Sequence, residues 1–254
     1  MSFGNDLQNN STLELNNPFG NETIHSAVQT TKNSLARLDD IVQVRSIDFI
    51  KINSSECSGK NSQLTDEEKI LYQKILCLRK DYYVVKAPHL LTDEEMQIER
   101  SVDQRSVLFA ILQNDVVLST LRLTEKPFEL ENFNIHCIDI NKFNDYLEIG
   151  RLVTSLNIDQ IMSSLIVRHL LCAAGLWAIE EYHAKGFVAI CRPFRIKFFN
   201  KFGLMDLASF YSNQRKINYH FLAASMNEIL FATAHLQKSE TAFRRRIQNG
   251  FSKT

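Results

Sequence analysis

The hydrophobic and polar residues of the chain follow two periods, which predict strands and helices in mixed order. Apolar residues spaced by two, as in residues 41–53, are typical of half-buried strands, and spacing by three and four, as in residues 65–79, is typical of helices. Strands are predicted at residues 41–53, 107–113, 116–123, 135–140, 146–153, 187–191 and 219–224, and helices at 24–39, 65–79, 92–100, 160–185, 194–202 and 227–249. A hairpin turn at Asn114-Asp115 and a strand–helix–strand unit together predict an α+β fold with a mixed central sheet flanked by helices.

Two helix ends carry recognisable signals. Thr65 and Glu68 have the spacing of a capping box, which predicts a helix beginning at that point. Gly186 follows the long apolar helix, and glycine is common just after a helix, so we expect it to form the C-cap.

The predicted strand at residues 146–155 carries charge within an apolar run. Glu148 and Arg151 are three residues apart, so a regular strand would place them on opposite faces. A β-bulge at Gly150 would let both side chains share a face and would expose a backbone N–H, because glycine tolerates that geometry. A carboxylate, a guanidinium and an unpaired N–H in one place suit acyl transfer. The alternative interpretation is a buried structural ion pair or an exposed edge.

Composition and charge narrow the class of protein. The 254 residues are 44% hydrophobic and 23% charged, as in an ordinary globular protein. The 29 basic and 29 acidic residues cancel, which disfavours a broad nucleic-acid-binding surface. Residues 1–40 are predicted to be a flexible N-terminal arm with a possible helix, and residues 41–254 a single domain.

The cysteines and the apolar segments indicate a reduced, cytoplasmic protein. The five cysteines are odd in number, scattered and without Cys-x-x-Cys spacing, which disfavours disulfides and a zinc or other metal site. The first residues lack a basic segment followed by an apolar run, so no signal peptide is expected. The apolar segment 165–179 is interrupted by Arg168 and His169, so no transmembrane segment is predicted.

Four short motifs occur in the order of these elements. They are Leu78-Arg79-Lys-Asp-Tyr-Tyr83, Asp103-Gln-Arg-Ser106, Ser119-Thr-Leu-Arg122-Leu and Glu148-Ile-Gly-Arg151. Over about residues 65–205 the chain thereby resembles the GNAT acyltransferases, and within them the acyl-homoserine-lactone (autoinducer) synthases and N-acyl amino acid synthases. Ser119 departs from the pattern, since glycine is usual there.

The resemblance implies an enzyme that moves a long-chain acyl group from an acyl-carrier-protein thioester to the amine of a small molecule, such as an amino acid. It implies Glu148 as the base, a backbone N–H near Gly150 on the thioester carbonyl, and Arg151 orienting the base or the amine substrate. Substrate-binding roles are expected for four further residues. Arg122 and Arg79 would hold a substrate carboxylate, Asp103 would bind the ammonium, and Ser106 would assist.

The donor follows from two further features. The loop 155–160 lacks the glycine-rich pyrophosphate cradle of acetyl-CoA users, which fits a carrier protein as the donor, with acyl-CoA as the alternative and no permanently bound cofactor. A basic group after residue 191 is expected to dock an acidic carrier protein, and its alternative is an ordinary solvated surface. Its members are Arg192, Arg195, Lys197 and Lys201.

Other interpretations stay open at this point. One is a small-donor acetyltransferase with the same fold. Another is a non-catalytic protein that binds an acyl ligand or a protein partner. Phe194, Phe198 and Phe199 with the helix at 160–185 would line an acyl pocket or simply fill the core. His169 and Cys191 are expected to be core residues.

Overall fold

The computed structural model describes residues 42–50, 64–133 and 138–236 together with Gln29, and side chains as far as Ala232. The predicted arm, the helix at 24–39 and the basic end of the C-terminal helix therefore lie outside the described residues.

Seven strands and five α-helices make up the described part. The strands are β1 (Gln43–Asp48), β2 (Ser106–Gln113), β3 (Val116–Thr124), β4 (Tyr146–Thr154), β5 (Gly186–Cys191), β6 (Met205–Ser212) and β7 (Ile217–Ser225). The helices are α1 (Asp66–Lys86), α2 (Asp93–Asp103), α3 (Gln160–Glu180), α4 (Ile196–Asn200) and α5 (Met226–Leu236). Short 3-10 helices occupy Pro88–Leu90, Glu129–Phe133, Ile140–Phe143 and Pro193–Arg195.

The strands form one sheet in the order β1-β2-β3-β4-β5-β7-β6. Only the pairing of β4 with β5 is parallel, and every other neighbouring pair in this sheet is antiparallel. The predicted α+β fold with a mixed sheet is therefore confirmed.

Several predicted boundaries are wrong. Helix α1 does not end near Arg79 but continues to Lys86, because the extra turns bury Tyr83. Gly186 is no C-cap: helix α3 ends at Glu180, and Gly186 begins β5, where an added Cβ would collide with the Ala224 carbonyl and the Tyr146 ring. The Thr65–Glu68 capping box is confirmed.

Two further differences concern strands. Residues 138–140 form no strand, since the Asp139 carboxylate accepts a hydrogen bond from the Asn141 N–H (3.1 Å) and starts a 3-10 helix; residues 134–137 lie outside the described part. Strand β6 was not predicted, and its outward residues are largely exposed at the sheet edge, which leaves a weak apolar pattern.

The two faces of the sheet are covered by different elements. Helix α3 packs on one face, against Phe109, Leu121 and their neighbours. Helix α1 packs on the other face of β1–β3, against Leu108. Beside it, residues 128–133 and 138–143 cover Tyr146 and Val188 of β4 and β5. Alternation along the strands assigns these contacts to opposite faces.

Helix α3 is the one helix in the described part of the chain that is long and apolar enough to cross a membrane. Half of its most apolar window is buried in the structure, and Leu170 and Ala178 are fully inaccessible to solvent. This packing is that of a core helix.

Candidate functional site

The site is organised by an irregularity in β4. Thr120 of β3 pairs with Val153, and Arg122 pairs with Gly150, so β4 carries one more residue than β3 between these pairs. Arg151 has a φ of 49°, in the left-handed region that non-glycine residues rarely adopt. The predicted bulge is therefore present, but the residue with unusual backbone geometry is Arg151 and not Gly150.

Gly150 is required for a different reason. A Cβ at this position would lie 3.3 Å from Nη2 and 3.4 Å from Nε of Arg122, its cross-strand partner. The absence of a side chain thus makes room for a guanidinium against the strand. Glycine here reflects close packing of a charged group and not a positive φ.

A cavity opens where β4 and β5 separate. Their parallel pairing ends at Ile149 and Ala189, although β4 continues to Thr154 and β5 to Cys191. The cavity has a volume of about 840 Å³ and is lined by residues from both faces of the sheet, including Tyr83, Glu148 and Arg151 on one side and Val167 and Phe198 on the other. It therefore passes through the gap between the two strands.

Glu148 lies in the wall of this cavity and is 2% exposed. Its carboxylate accepts hydrogen bonds from the backbone N–H groups of Glu129 (2.5 Å) and Leu130 (3.2 Å). Burial, and then the negative charge of Glu129, raise the pKa of Glu148 to about 7, while Arg122 and the two N–H groups oppose this. A carboxyl group with this pKa can take up and release a proton near neutral pH.

Arg151 lies in the same wall beside two carboxylates. Its Nε is 3.3 Å from Glu99 Oε2, and its Nη2 is 3.1 Å from Glu129 Oε1. Neither nitrogen has the alignment of a hydrogen bond, although both are buried. The guanidinium is thus held in the cavity wall by the charges of the two carboxylates.

Behind the wall lies a cluster of ion pairs, here called the arginine–carboxylate cluster. Arg79 donates to Glu99 (2.9 Å) and Asp103 (2.7 Å), and Arg122 donates to Asp103 (3.2 Å) and to Glu129. Arg79 and Arg122 are 1% and 0% exposed, and neither lines the cavity. The expectation that they hold a substrate carboxylate directly does not fit this arrangement, because both pair with carboxylates of the protein and lie outside the cavity lining.

Asp103 and Ser106 are equally remote from the cavity. Asp103 is fully buried and accepts from Arg79, Arg122 and the Tyr72 hydroxyl (3.2 Å), so it has no free face for a substrate ammonium. The Ser106 hydroxyl donates to the Val102 carbonyl (2.6 Å) and lies 2.8 Å from the Thr124 hydroxyl. These contacts fix the start of β2 to α2 and do not reach the cavity.

Four residues of the cluster were not identified from the sequence, namely Glu95, Glu99, Glu129 and Arg215. Glu129 pairs with Arg122, Arg151 and Arg215, and these cations outweigh the effect of burial and lower the pKa of Glu129 well below its usual range. Arg215 makes a bidentate pair with Glu95 (2.8 and 2.6 Å) and lies 4.7 Å from the Phe133 ring centre. Arg215 stands in a polar connecting segment, where a charged residue carries no signal of burial, and Glu129 stands between Phe128 and Leu130 in a segment for which no strand or helix is predicted.

The charges of the arginine–carboxylate cluster, counted together with Arg151 and Glu148, do not cancel when all groups are ionised. The four guanidinium groups are Arg79, Arg122, Arg151 and Arg215, and the five carboxylates are Glu95, Glu99, Asp103, Glu129 and Glu148. One carboxylate is therefore in excess. Because its pKa is raised, Glu148 is the group that gains a proton, or pairs with a cationic ligand, when the cluster is neutral.

The four basic residues expected to dock a carrier protein divide into two pairs. Arg192 and Arg195 line the cavity, whereas Lys197 and Lys201 are exposed and lie outside it. The structure therefore separates two cations of the cavity from two on the surface.

A cysteine, a histidine and an aspartate also lie together on β5, β7 and β6. Cys191 pairs across the strands with His220, whose Nδ1 is 2.8 Å from Asp206. Burial, with the charge of Asp206, raises the pKa of Cys191 to about 12, so its thiol is protonated at neutral pH. This setting is that of an inert thiol. On α3, burial lowers the pKa of His169 to about 4, consistent with a core residue.

No family model and no curated protein matches the sequence. Solved structures do match its fold. BjaI, a CoA-dependent acyl-homoserine lactone synthase determined with MTA, aligns with TM-score 0.56 at 12% identity, over 79% of this chain and 90% of BjaI. The acyl-homoserine lactone synthase LasI aligns with TM-score 0.55 at 14% identity, over 76% and 93%. FeeM, an N-acyl amino acid synthase from uncultured soil microbes, aligns with TM-score 0.52 at 10% identity, over 73% and 91%.

These likenesses establish the fold. The chain has the GNAT-like architecture of those acyltransferases, as its four motifs predicted, and at such low identities the comparison carries no further than the fold.

Proposed function

We propose that the protein is an N-acyltransferase that moves an acyl group from a thioester donor to the amine of a small molecule, with an acyl carrier protein as the donor and an amino acid as the acceptor. The observation that carries the proposal is Glu148, a buried carboxyl group with a pKa near 7 in the wall of a cavity at a bulged, separating strand. A general base with this pKa suits an amine that must lose a proton.

The amine enters as an ammonium ion and pairs with ionised Glu148, so that the excess carboxylate of the wall is balanced. Glu148 then takes the proton, directly or through a water molecule, and leaves a neutral nucleophile. The nitrogen attacks the thioester carbonyl, whose oxygen is polarised by backbone N–H groups of the bulged segment around Gly150. The C–S bond breaks, the thiolate takes up a proton, and an amide and a free thiol result.

The other predicted site residues act indirectly, by positioning Glu148 and its neighbours. Arg151 orients Glu148 and the amine through the shared partner Glu129. Arg79, Arg122 and Asp103 hold the cluster that fixes Glu99 and Glu129, and are positioning residues in this proposal. A carboxylate of the substrate is therefore held elsewhere.

The choice of donor rests on the start of α3. A helix N-terminus is a common site for phosphate groups because its first N–H groups are free. Here Asp159 Oδ1 accepts from the N–H groups of Ile161 (2.8 Å) and Met162 (2.9 Å), which places a carboxylate at that end. The pyrophosphate of CoA would meet a like charge, which favours a carrier protein. The acidic carrier protein docks on the exposed Lys197 and Lys201. We place the reaction in the cytoplasm.

The acyl chain would occupy the apolar part of the cavity. Ile158, Val167 and Phe198 line it on the α3 side of the sheet, away from the charged wall. Apolar surface of this kind stabilises an acyl chain by about 0.8 kcal/mol for each buried methylene.

The test is mass spectrometry of lipid extracts from cells that express the wild-type chain, Glu148→Gln, or the matched control Glu94→Gln. Glu94 is an exposed carboxylate of α2 that lies outside the cavity. A new N-acyl product with wild type and control, lost with Glu148→Gln, supports the proposal. Purified protein supplied with acyl-carrier protein or acyl-CoA then separates the two donors. Absence of any new amide with either donor would refute it.

A further inference from the structure

The two arginines at the end of β5 differ from every other arginine of the cavity wall and its cluster. Arg79, Arg122, Arg151 and Arg215 all pair with carboxylates. The Nη2 of Arg192 instead lies 3.3 Å from His89 Nδ1, and the Nη2 of Arg195 donates to the Tyr82 hydroxyl (3.3 Å).

Both partners of these arginines are neutral. A guanidinium group can only donate, so His89 Nδ1 accepts from Arg192 and the ring carries no charge in this contact. Burial and the nearby charge of Arg192 also lower the pKa of His89. Among the described ion pairs none joins a carboxylate to Arg192 or Arg195. Within the described part of the chain, therefore, no carboxylate pairs with either positive charge.

These contacts also cross the cavity. Tyr82 and His89 stand on α1 and in the 3-10 helix that follows it, whereas Arg192 and Arg195 lie between β5 and α4, and all four line the cavity. Each bond is long, at 3.3 Å, and its acceptor is uncharged, so it is weaker than an ion pair. An anion entering the cavity would replace two long bonds to neutral acceptors with ion pairs.

We propose that Arg192 and Arg195, with His89 and Tyr82, form an arginine strap across the cavity that binds an anionic group of a small ligand. The group is a carboxylate or a phosphate, because guanidinium groups bind both in a bidentate manner. This assigns Arg192 and Arg195 to ligand binding inside the cavity, and not to docking of a partner protein on the surface. The inference rests on the proposed function in one respect. That function supplies the two ligands that would carry the anion, the amine acceptor and the thioester donor.

Two pairs of probes distinguish these sources by isothermal titration calorimetry of the full chain. In the first pair, L-leucine or L-phenylalanine is compared with the corresponding amino alcohol, which lacks the carboxylate of an amino-acid acceptor. 4′-Phosphopantetheine against pantetheine differs in the phosphate of a donor. We expect wild-type protein to bind the anionic member of at least one pair about tenfold or more tightly, the effect of a hydrogen bond to a charged group.

The preference should disappear in Arg192→Gln/Arg195→Gln. A matched control, Lys80→Gln/Lys142→Gln, removes two positive charges from exposed positions outside the cavity and should keep it.

A preference for the carboxylate assigns the strap to the acceptor, and a preference for the phosphate assigns it to the donor. Equal binding within both pairs, or a preference that survives the double arginine variant, would overturn the proposal. Titration needs no turnover, so a protein that fails to form amides can still show the strap, and an active enzyme can still lack it. Circular dichroism confirms that each variant is folded.

Discussion

The arginine–carboxylate cluster and the arginine strap use the same side chain under opposite conditions. In the cluster, Arg79 and Arg122 are fully buried, and both pair with carboxylates of the protein. In the strap, Arg192 is half-buried and Arg195 is exposed, and their hydrogen-bond partners are neutral groups. Enclosed charges must be balanced within the protein, whereas charges at a cavity can be left for a ligand to balance. Burial thus separates the arginines that hold the site in place from those that bind.

The largest difference between the two groups should appear in stability. Arg122→Met leaves Asp103 and Glu129 buried with one cation fewer, which should lower the free energy of unfolding by about 3–5 kcal/mol. Arg192→Met removes a half-exposed side chain with a neutral partner and should change it by about 0.5 kcal/mol or less. Urea unfolding of the two variants measures both. Equal losses would show that the cluster is no more tightly balanced than the strap.

A glycine pair tests whether the cluster really presses against β4. Gly150→Ala would bring a methyl group within 3.3 Å of Arg122 Nη2, so we expect a loss of about 1–3 kcal/mol from overpacking. Gly175→Ala, in the interior of α3, meets nothing within 4 Å and should gain about 0.5–1 kcal/mol by helix propensity. Thermal unfolding compares the pair. A neutral or stabilising Gly150→Ala would mean that the space beside Arg122 is not tight.

The pH dependence of stability tests the charge of the wall. The pKa of Glu148 in the folded protein, about 7, lies above its value of about 4.3 in an unfolded chain. Its stabilising contribution is therefore fully present below pH 4.3 and is lost as the pH rises through about 7. The free energy of unfolding of wild type, relative to that of Glu148→Gln, should fall as the pH rises from about 4.3 to about 7 and should not fall further above pH 7. Glu129, whose pKa is lowered, is present in both proteins, so its contribution to the pH dependence cancels in this comparison. A difference independent of pH would contradict the raised pKa.

Local patterns predicted the fold and part of the site. Glu148 and Arg151 predicted a bulge because their odd spacing conflicts with the alternation of a strand, and the pairing of β3 with β4 contains it. The ordered motifs predicted Arg79, Asp103 and Arg122, although they lie behind the cavity and not in it.

The remaining residues depend on contacts that no local pattern records. Arg215 meets Glu95 and Glu129 across 120 and 86 positions of the chain, and both Arg215 and Glu95 stand among other polar residues. The roles of Arg192 and Arg195 likewise depend on which side chains happen to face them, His89 and Tyr82. Sequence spacing identifies a residue with an unusual backbone or a misplaced charge, but not the partner that balances it.

The most direct test of the account is the pH dependence of amide formation by purified protein in a single turnover, comparing wild type with Glu148→Gln and Glu94→Gln. The account predicts that the wild-type rate rises with pH and levels off above about 7, that Glu94→Gln behaves alike, and that Glu148→Gln is slower by about a hundredfold or more. A Glu148→Gln protein that forms amide at the wild-type rate, with the same inflection, would contradict it.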